Sequence, residues 1–162
     1  MIFLTVGSQM PFPRLVAAVD AWAQRNPGVE IVAQIGRHTS PRPVALTAFE
    51  SVSPARFSEL IRCCDLMVAH AGMGSVLTAL EYEKPMILMP RRAHLHETRN
   101  DHQGATLRWL ESKPGIYAAD DETALGKALD DWRKNGLAAP VSTDRRPESL
   151  QSLIETVRAF IA

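Results

Sequence analysis

Residues 68–90 read VAHAGMGSVLTALEYEKPMILMP, and no other stretch restricts the fold as tightly. Asp65-Leu66-Met67-Val68-Ala69 is a largely apolar run that ends in His70. Ala71-Gly72-Met73-Gly74 is a glycine-rich turn, and Ser75 opens a helical stretch over Val76 to Glu83. Lys84-Pro85 stops that helix, and Met86 to Met89 is a second apolar run closed by Pro90. The order is strand, glycine loop, helix, strand. Glycines let a backbone turn sharply and come close to a ligand. The first N–H groups of a helix lack partners inside it and carry the positive end of its dipole, so an anion placed there satisfies both. The turn alone leaves a second reading open, in which glycine only lets the helix pack closely on its strand. It is not a P-loop, because no Gly-Lys-Ser/Thr follows, and Gly72 and Gly74 are not joined by the third glycine of the dinucleotide fingerprint.

The flanking chain repeats the alternation. Ile2 to Val6 is a continuous apolar run, as expected of a strand covered on both faces, and Gly7-Ser8-Gln9 is the loop after it. Leu15, Val16, Val19, Trp22 and Ala23 share a helical face, which Asn26-Pro27-Gly28 ends. Glu30 to Ile35 is a second strand, residues 36–43 a polar loop, and Val44 to Phe49 a shorter third strand. Ser53-Pro54 has the chemistry of a helix start, with Phe57, Leu60, Ile61 and Cys64 turned inward. After Pro90, residues 91–104 form a long polar loop, and Ala105 to Leu110 is helical. Gly115 to Ala118 is a last strand, and Asp120 or Asp121 caps a helix bearing Leu125, Ala128, Leu129 and Trp132. Residues 136–146 are a loop, and Pro147 starts a final amphipathic helix over 147–162 with Leu150, Leu153, Ile154, Val157, Phe160 and Ile161 at 3.6 spacing. The expected fold is α/β, a Rossmann-like doubly wound parallel sheet forming one domain over 1–162.

Eighteen basic and eighteen acidic residues cancel, which argues against a nucleic-acid binder or a strongly electrostatic membrane binder. No apolar stretch approaches the roughly 20 residues of a membrane span, and the opening MIFLTV reads as a strand, not a signal peptide. Cys63 and Cys64 are adjacent and offer no disulfide framework, so a reducing cytoplasm and two core thiols are expected.

In a doubly wound sheet every strand-to-helix loop lies on one edge. Gly7-Ser8-Gln9, the 36–43 loop, His70 to Ser75 and residues 91–103 therefore converge on one cleft. Backbone 72–75, Ser75 and His70 suit a phosphate, and Asn100, Asp101, His102 and Gln103 suit a polyol. Plainer readings stand beside these. His70 is then a satisfied strand-end histidine, Ser75 an N-cap, and Asn100 and Asp101 caps of the next helix. Arg91 and Arg92 bind the diphosphate, a lipid phosphate or a partner, or are merely surface charges. His94, His96, Asp101 and His102 would make a poor metal site, since such clusters are common in polar loops.

With these residues in view, the 68–103 region resembles the donor-binding half of GT-B glycosyltransferases, specifically the glycosyltransferase family 28 C-terminal domain. The carriers are HAGMGS at 70–75, Lys84-Pro85 with the apolar run after it, and NDHQ at 100–103. The whole chain is similar to small bacterial exopolysaccharide glycosyltransferase subunits of the PssE type. These are in turn similar to the catalytic half of the two-subunit eukaryotic enzyme that adds the second N-acetylglucosamine to dolichol-linked sugar. The resemblance implies a UDP-sugar donor, with Gly72, Met73, Gly74, Ser75 and His70 on its diphosphate. It implies His102 and Gln103 on the sugar, and Gly7, Ser8 and Gln9 bordering the cleft. The acidic ribose ligand of the family falls on Thr78 here, and Glu81 lies one helical turn later. The resemblance also implies inverting transfer with no cofactor and no metal, and no Asp-x-Asp triplet occurs in the chain.

Such a half needs a partner. The resemblance implies a membrane-anchored subunit that supplies the acceptor domain, binds a lipid-linked saccharide and contributes the general base. The chain would then sit in the cytoplasm, peripheral to the inner face of the membrane, with a homodimer as the possible isolated form. The competing classes are a non-catalytic accessory subunit that stabilises another transferase, and a sugar-nucleotide epimerase of similar fold. The chain is too short to hold both halves that an epimerase needs.

Overall fold

The computed structural model describes residues 1–37, 39–111, 113 and 115–136. The amphipathic helix expected over 147–162 and all of the 136–146 loop beyond Gly136 lie outside the described residues. Among the described residues, six strands form one sheet: β1 (Ile2–Thr5), β2 (Ile31–Gln34), β3 (Thr47–Phe49), β4 (Leu66–His70), β5 (Met86–Met89) and β6 (Ile116–Ala118). Their order is β3-β2-β1-β4-β5-β6, and every pairing is parallel. The helices are α1 (Pro13–Arg25), α2 (Pro54–Cys63), α3 (Met73–Glu81), α4 (His102–Leu110) and α5 (Glu122–Asn135). The expected doubly wound α/β sheet is therefore present.

Strand residues alternate between two cores, because successive side chains in a strand point to opposite faces. Ile2, Leu4, Leu66, Val68, Ile87 and Met89 pack with α1 and α5. Phe3, Met67, Ala69, Met86 and Leu88 pack with α2, α3 and α4. The central strands thus have both faces covered, which is why they read as unbroken apolar runs. Phe3 meets Phe57 edge-on, with ring centroids 5.3 Å apart. Such a pair adds about 0.5–1.5 kcal/mol to the burial itself. Capping follows the sequence in two places: Ser53 accepts from Arg56 N and Asp121 accepts from Ala124 N.

Four boundaries differ from the sequence expectation by two residues or more. β3 starts at Thr47, not Val44, because the N–H groups of Val44 and Ala45 donate to Asp20 Oδ1 at 2.9 and 2.7 Å and are lost to the ladder. α3 starts at Met73, so Ser75 does not open or cap it; Gly72 is the N-cap residue. α3 also stops at Glu81, short of Glu83, since Glu83 adopts the left-handed conformation (φ 53°). There Glu83 N–H reaches Leu80 O and Lys84 N–H reaches Ala79 O, a Schellman closure. α4 starts at His102, not Ala105, because exposed His102 and half-buried Gln103 form the first turn of the helix and not the end of a loop. The thiols also part company: Cys64 is buried as expected, whereas Cys63 is exposed.

Candidate functional site

The strand order reverses between β1 and β4. From β1 the chain passes through α1 to β2 on one side, and from β4 through α3 to β5 on the other. α1 and α3 lie on opposite faces, so the loops after β1 and β4 part and leave a crevice at the carboxyl ends of these strands. Open α/β sheets bind ligands at this switch point.

His70 is the last residue of β4 and fills the floor of that crevice. Its ring lies between the two glycine loops. An ideal Cβ on Gly7 would stand 2.8 Å from His70 Cε1, and one on Gly72 would stand 2.2 Å from His70 Nε2. Both glycines are therefore required by the imidazole, and Gly7 also has a φ of +79°. Gly72 and Gly74 do not have positive φ, so they do not serve as the left-handed pivots of a sharp turn. The tight step is instead closed by Gly72 N–H donating to His70 O at 2.8 Å.

Nδ1 of His70 is buried with no hydrogen-bond partner among the described residues. Burial, and then the positive charge of Arg91, push the His70 pKa down to about 4. The ring is thus neutral near pH 7, with one nitrogen donating and the other accepting. The reading of His70 as a satisfied strand-end histidine fails on this point.

α3 begins beside it. Gly72 offers no side-chain cap, and no acidic residue stands in the first turn. The leading N–H groups of Met73, Gly74 and Ser75 have no partner within the helix and converge at the crevice. Ser75 is in that turn and only 9% exposed. Thr78 follows one turn on, its Oγ1 donating to Gly74 O at 2.8 Å. Glu81 is exposed and is the last residue of α3, a further turn from the loop.

The first loop is pinned from below. Gly7 N–H donates to Thr5 Oγ1, Gln34 Nε2 donates to Gly7 O, and Thr5 Oγ1 donates to Gln34 Oε1. Ser8 and Gln9 stay exposed above it. A further tie comes from a residue that the sequence suggests only as an anion ligand, a partner contact or a surface charge. Arg91 is 4% exposed. Its Nη1 donates to Pro11 O and Glu97 O, its Nη2 to Val6 O and Met10 O, and its guanidinium stacks 4.7 Å from the Phe12 ring centroid. A second arginine, Arg14 at the start of α1, pairs bidentately with Glu97 at 2.6 and 2.8 Å and also donates to Pro90 O. Arg14 and Glu97 were not singled out by the sequence. They are 83 residues apart, beyond any local spacing rule.

Gln103 joins the same framework, its Oε1 accepting from Arg91 N at 3.0 Å. That orients the side chain and leaves its amide nitrogen as the donor for a hydroxyl. Asp101 is at the N-cap position of α4 without capping it, and its Oδ1 accepts from Ala93 N. Asn100 and His102 are exposed at the same helix entry. Arg92 donates to Asp120 O. Among the described residues, no three of His, Cys, Asp and Glu are grouped to share a metal ion. The crevice thus gathers Gly7, His70 and residues 72–75, with Gln103 attached through Arg91. Glu81 stands apart from them. The arrangement is suited to an anion on the α3 N-terminus with a hydroxylated group toward α4.

The family model of the glycosyltransferase family 28 C-terminal domain matches residues 1–157. No curated protein matches the chain. Among solved structures, the solution structure of ALG13 is 21% identical with a TM-score of 0.63, covering 97% of this chain and 96% of that one. MurG of Acinetobacter baumannii is 16% identical with a TM-score of 0.63, covering 97% of this chain and 49% of MurG. A UDP-glucose:anthocyanidin 3-O-glucosyltransferase solved with UDP is 18% identical with a TM-score of 0.59, covering 99% of this chain and 35% of that enzyme. The chain is thus about the length of ALG13, half that of MurG and a third that of the anthocyanidin enzyme. It belongs to the glycosyltransferase family 28 C-terminal domain family and is the donor-binding half of a glycosyltransferase.

Proposed function

We propose that this chain is the donor-binding catalytic subunit of a two-subunit inverting glycosyltransferase, which moves a sugar from a UDP-sugar to a lipid-linked acceptor in exopolysaccharide or related glycan synthesis. The observation that carries the donor site is the uncapped α3 N-terminus at the β1/β4 switch point, with the orphaned imidazole of His70 on its floor. In this reading the N–H groups of residues 73–75 and the Ser75 hydroxyl hold the diphosphate. Thr78 faces the ribose in preference to Glu81, which stands a turn farther off. His102 and Gln103 hold the sugar, Asn100 and Asp101 shape the entry to α4, and Ser8 and Gln9 close the near wall.

Breaking the sugar–phosphate bond builds negative charge on the leaving diphosphate. Helix N–H groups aimed at that charge are already oriented and cost no reorganisation as it develops. His70 adds a donor nitrogen. A bound dianion would also raise its pKa, since opposite charge favours the protonated ring. This set neutralises the diphosphate through protein groups alone, which is why the reading assigns no cofactor and no metal.

The partner assignment rests on two supports: the sequence resemblance to the two-subunit dolichol-linked enzyme, and the end-to-end match with ALG13, unlike the partial match with MurG. The partner is a membrane-anchored acceptor subunit that contributes the general base. It holds this chain at the cytoplasmic face of the membrane. The reading is tested by reconstituting transfer from a panel of UDP-sugars with the co-expressed partner. Transfer should need both chains and fall at least tenfold with Ser75→Ala or His102→Ala. Full transfer by the partner alone would sink it and leave an accessory role.

A further inference from the structure

The loops after β1 and β5 meet across the end of β4. β4 stands between β1 and β5 in the sheet, so the ladder does not join them. Side chains join them, and in both directions. From the β5 side, Arg91 reaches the carbonyls of Val6, Met10 and Pro11. From the β1 side, Arg14 in the first turn of α1 reaches the Glu97 carboxylate at 2.6 and 2.8 Å and Pro90 O at 2.9 Å. Glu97 links the two: its carboxylate also accepts from Arg92 N, and its carbonyl accepts from Arg91 Nη1. The guanidiniums of Arg91 and Arg14 both lie against the buried Phe12 ring, 4.7 and 5.3 Å from its centroid. Burying charge is costly unless hydrogen bonds and partners compensate it, and this cluster supplies both.

Four of the five N–H groups of the Arg91 side chain thus go to protein carbonyls. The N–H that remains is too little for the bidentate grip an arginine makes on a phosphate. What Arg91 governs is placement. Its side chain fixes the segment that carries Gly7, Ser8 and Gln9, and its backbone N–H fixes the Gln103 amide, whose Oε1 accepts at 3.0 Å. Gly7 abuts the His70 ring, and Gln103 lies in the first turn of α4. Two sides of the crevice are therefore tied through one residue. We propose that Arg91 is a positioning residue for donor binding: it holds the 7–12 loop and Gln103 in register across the end of β4, so that a UDP-sugar meets both walls already in place. This rests on the reading of the crevice as the donor site. A wall that must be ordered as the ligand binds weakens affinity by the cost of that ordering. Lysine keeps the charge but lacks the planar fork, so it cannot hold the carbonyls of Val6, Met10, Pro11 and Glu97 together.

The test compares Arg91→Lys with wild type in the full chain, with Phe57→Leu as a variant that loosens the Phe3–Phe57 contact away from the crevice. In the ligand-free chain, Arg91→Lys should quicken amide exchange about tenfold or more both at Gly7, which donates to Thr5 Oγ1, and at position 91, which donates to Gln103 Oε1. Amides of α2 and β6 should exchange as in wild type. Calorimetric titration with UDP should show affinity about tenfold or more weaker for Arg91→Lys and within about twofold of wild type for Phe57→Leu. In transfer with the co-expressed partner, the donor KM of Arg91→Lys should rise by a similar factor at nearly unchanged kcat. Arg91→Lys that binds UDP as tightly as wild type would overturn the proposal, since charge alone would then suffice. So would quickened exchange at Gly7 with position 91 unmoved, or a lower kcat at unchanged KM, which is loss of folded protein. A wild-type chain that binds no UDP would instead sink the donor reading, and the exchange measurement, which needs no ligand, would still decide whether Arg91 joins the two loops.

Discussion

Alanine at position 72 and alanine at position 74 should act in opposite directions. At 72 the new Cβ would lie 2.2 Å from His70 Nε2 and 2.7 Å from Cδ2, whereas carbon contacts prefer about 3.5–4.0 Å. The ring must therefore move by more than about 1 Å. It has no slack on the other side, where it already abuts Gly7. Overpacking of this kind costs about 1–3 kcal/mol. A displaced ring also meets water, so its pKa should climb from about 4 toward the ordinary 6.5. At 74 an added Cβ meets nothing within 4 Å, and the residue is already helical. There the loss of glycine entropy should stabilise by about 0.5–1 kcal/mol. The fold therefore makes no demand for glycine at 74, and close approach of a ligand to the helix end is the remaining reason for one. Urea unfolding of the two variants beside wild type reads the stabilities, and NMR titration of the His70 ring protons reads the pKa. Gly72→Ala as stable as wild type, with His70 still titrating near 4, would show that the ring is not clamped.

Three further outcomes follow from the same structure. The His70 pKa is lowered in the folded chain, so the unfolded chain binds the proton more readily. Its contribution is complete above pH 6.5 and is lost as pH falls toward 4; it amounts to about 3 kcal/mol, and His70→Asn should flatten that part of the urea stability–pH curve. Arg91→Met leaves the carbonyls of Val6, Met10, Pro11 and Glu97 without their donor. It should cost about 3–5 kcal/mol in urea unfolding, and a loss under about 1 kcal/mol would contradict the brace. Burial lifts the Cys64 thiol to about 11, while Cys63 is exposed. A chromogenic disulfide reagent at pH 8 should therefore modify one thiol in the native chain and both after unfolding; two fast thiols would refute the placement of Cys64.

The sheet was readable in the sequence because its central strands are buried on both faces and its helices carry clear apolar stripes. The convergence of Gly7, His70 and Gly72 followed from topology alone, since every strand-to-helix loop must share an edge. What escaped is tertiary or polar. β3 was read too long because Asp20, more than twenty residues away, captures the donors of Val44 and Ala45. α4 reads too short because its polar first turn, exposed His102 and half-buried Gln103, has the composition of a loop. Arg91 looks like a surface charge because nothing local announces that four carbonyls from two segments, the β1–α1 loop and Glu97, surround it. Glu83 carries no signal of the left-handed conformation that ends α3, a conformation more usual for glycine.

In the proposed function, the crevice between the β1 and β4 loops holds a uridine diphosphate. Titrating UDP into the isotope-labelled chain and following the backbone amides tests this most directly. The account predicts the largest shifts at Gly7, His70, Gly72 to Ser75 and Gln103, with GDP giving weaker ones. Shifts centred instead on Tyr117 and Trp132, or a UDP response that leaves residues 72–75 unmoved, would contradict it.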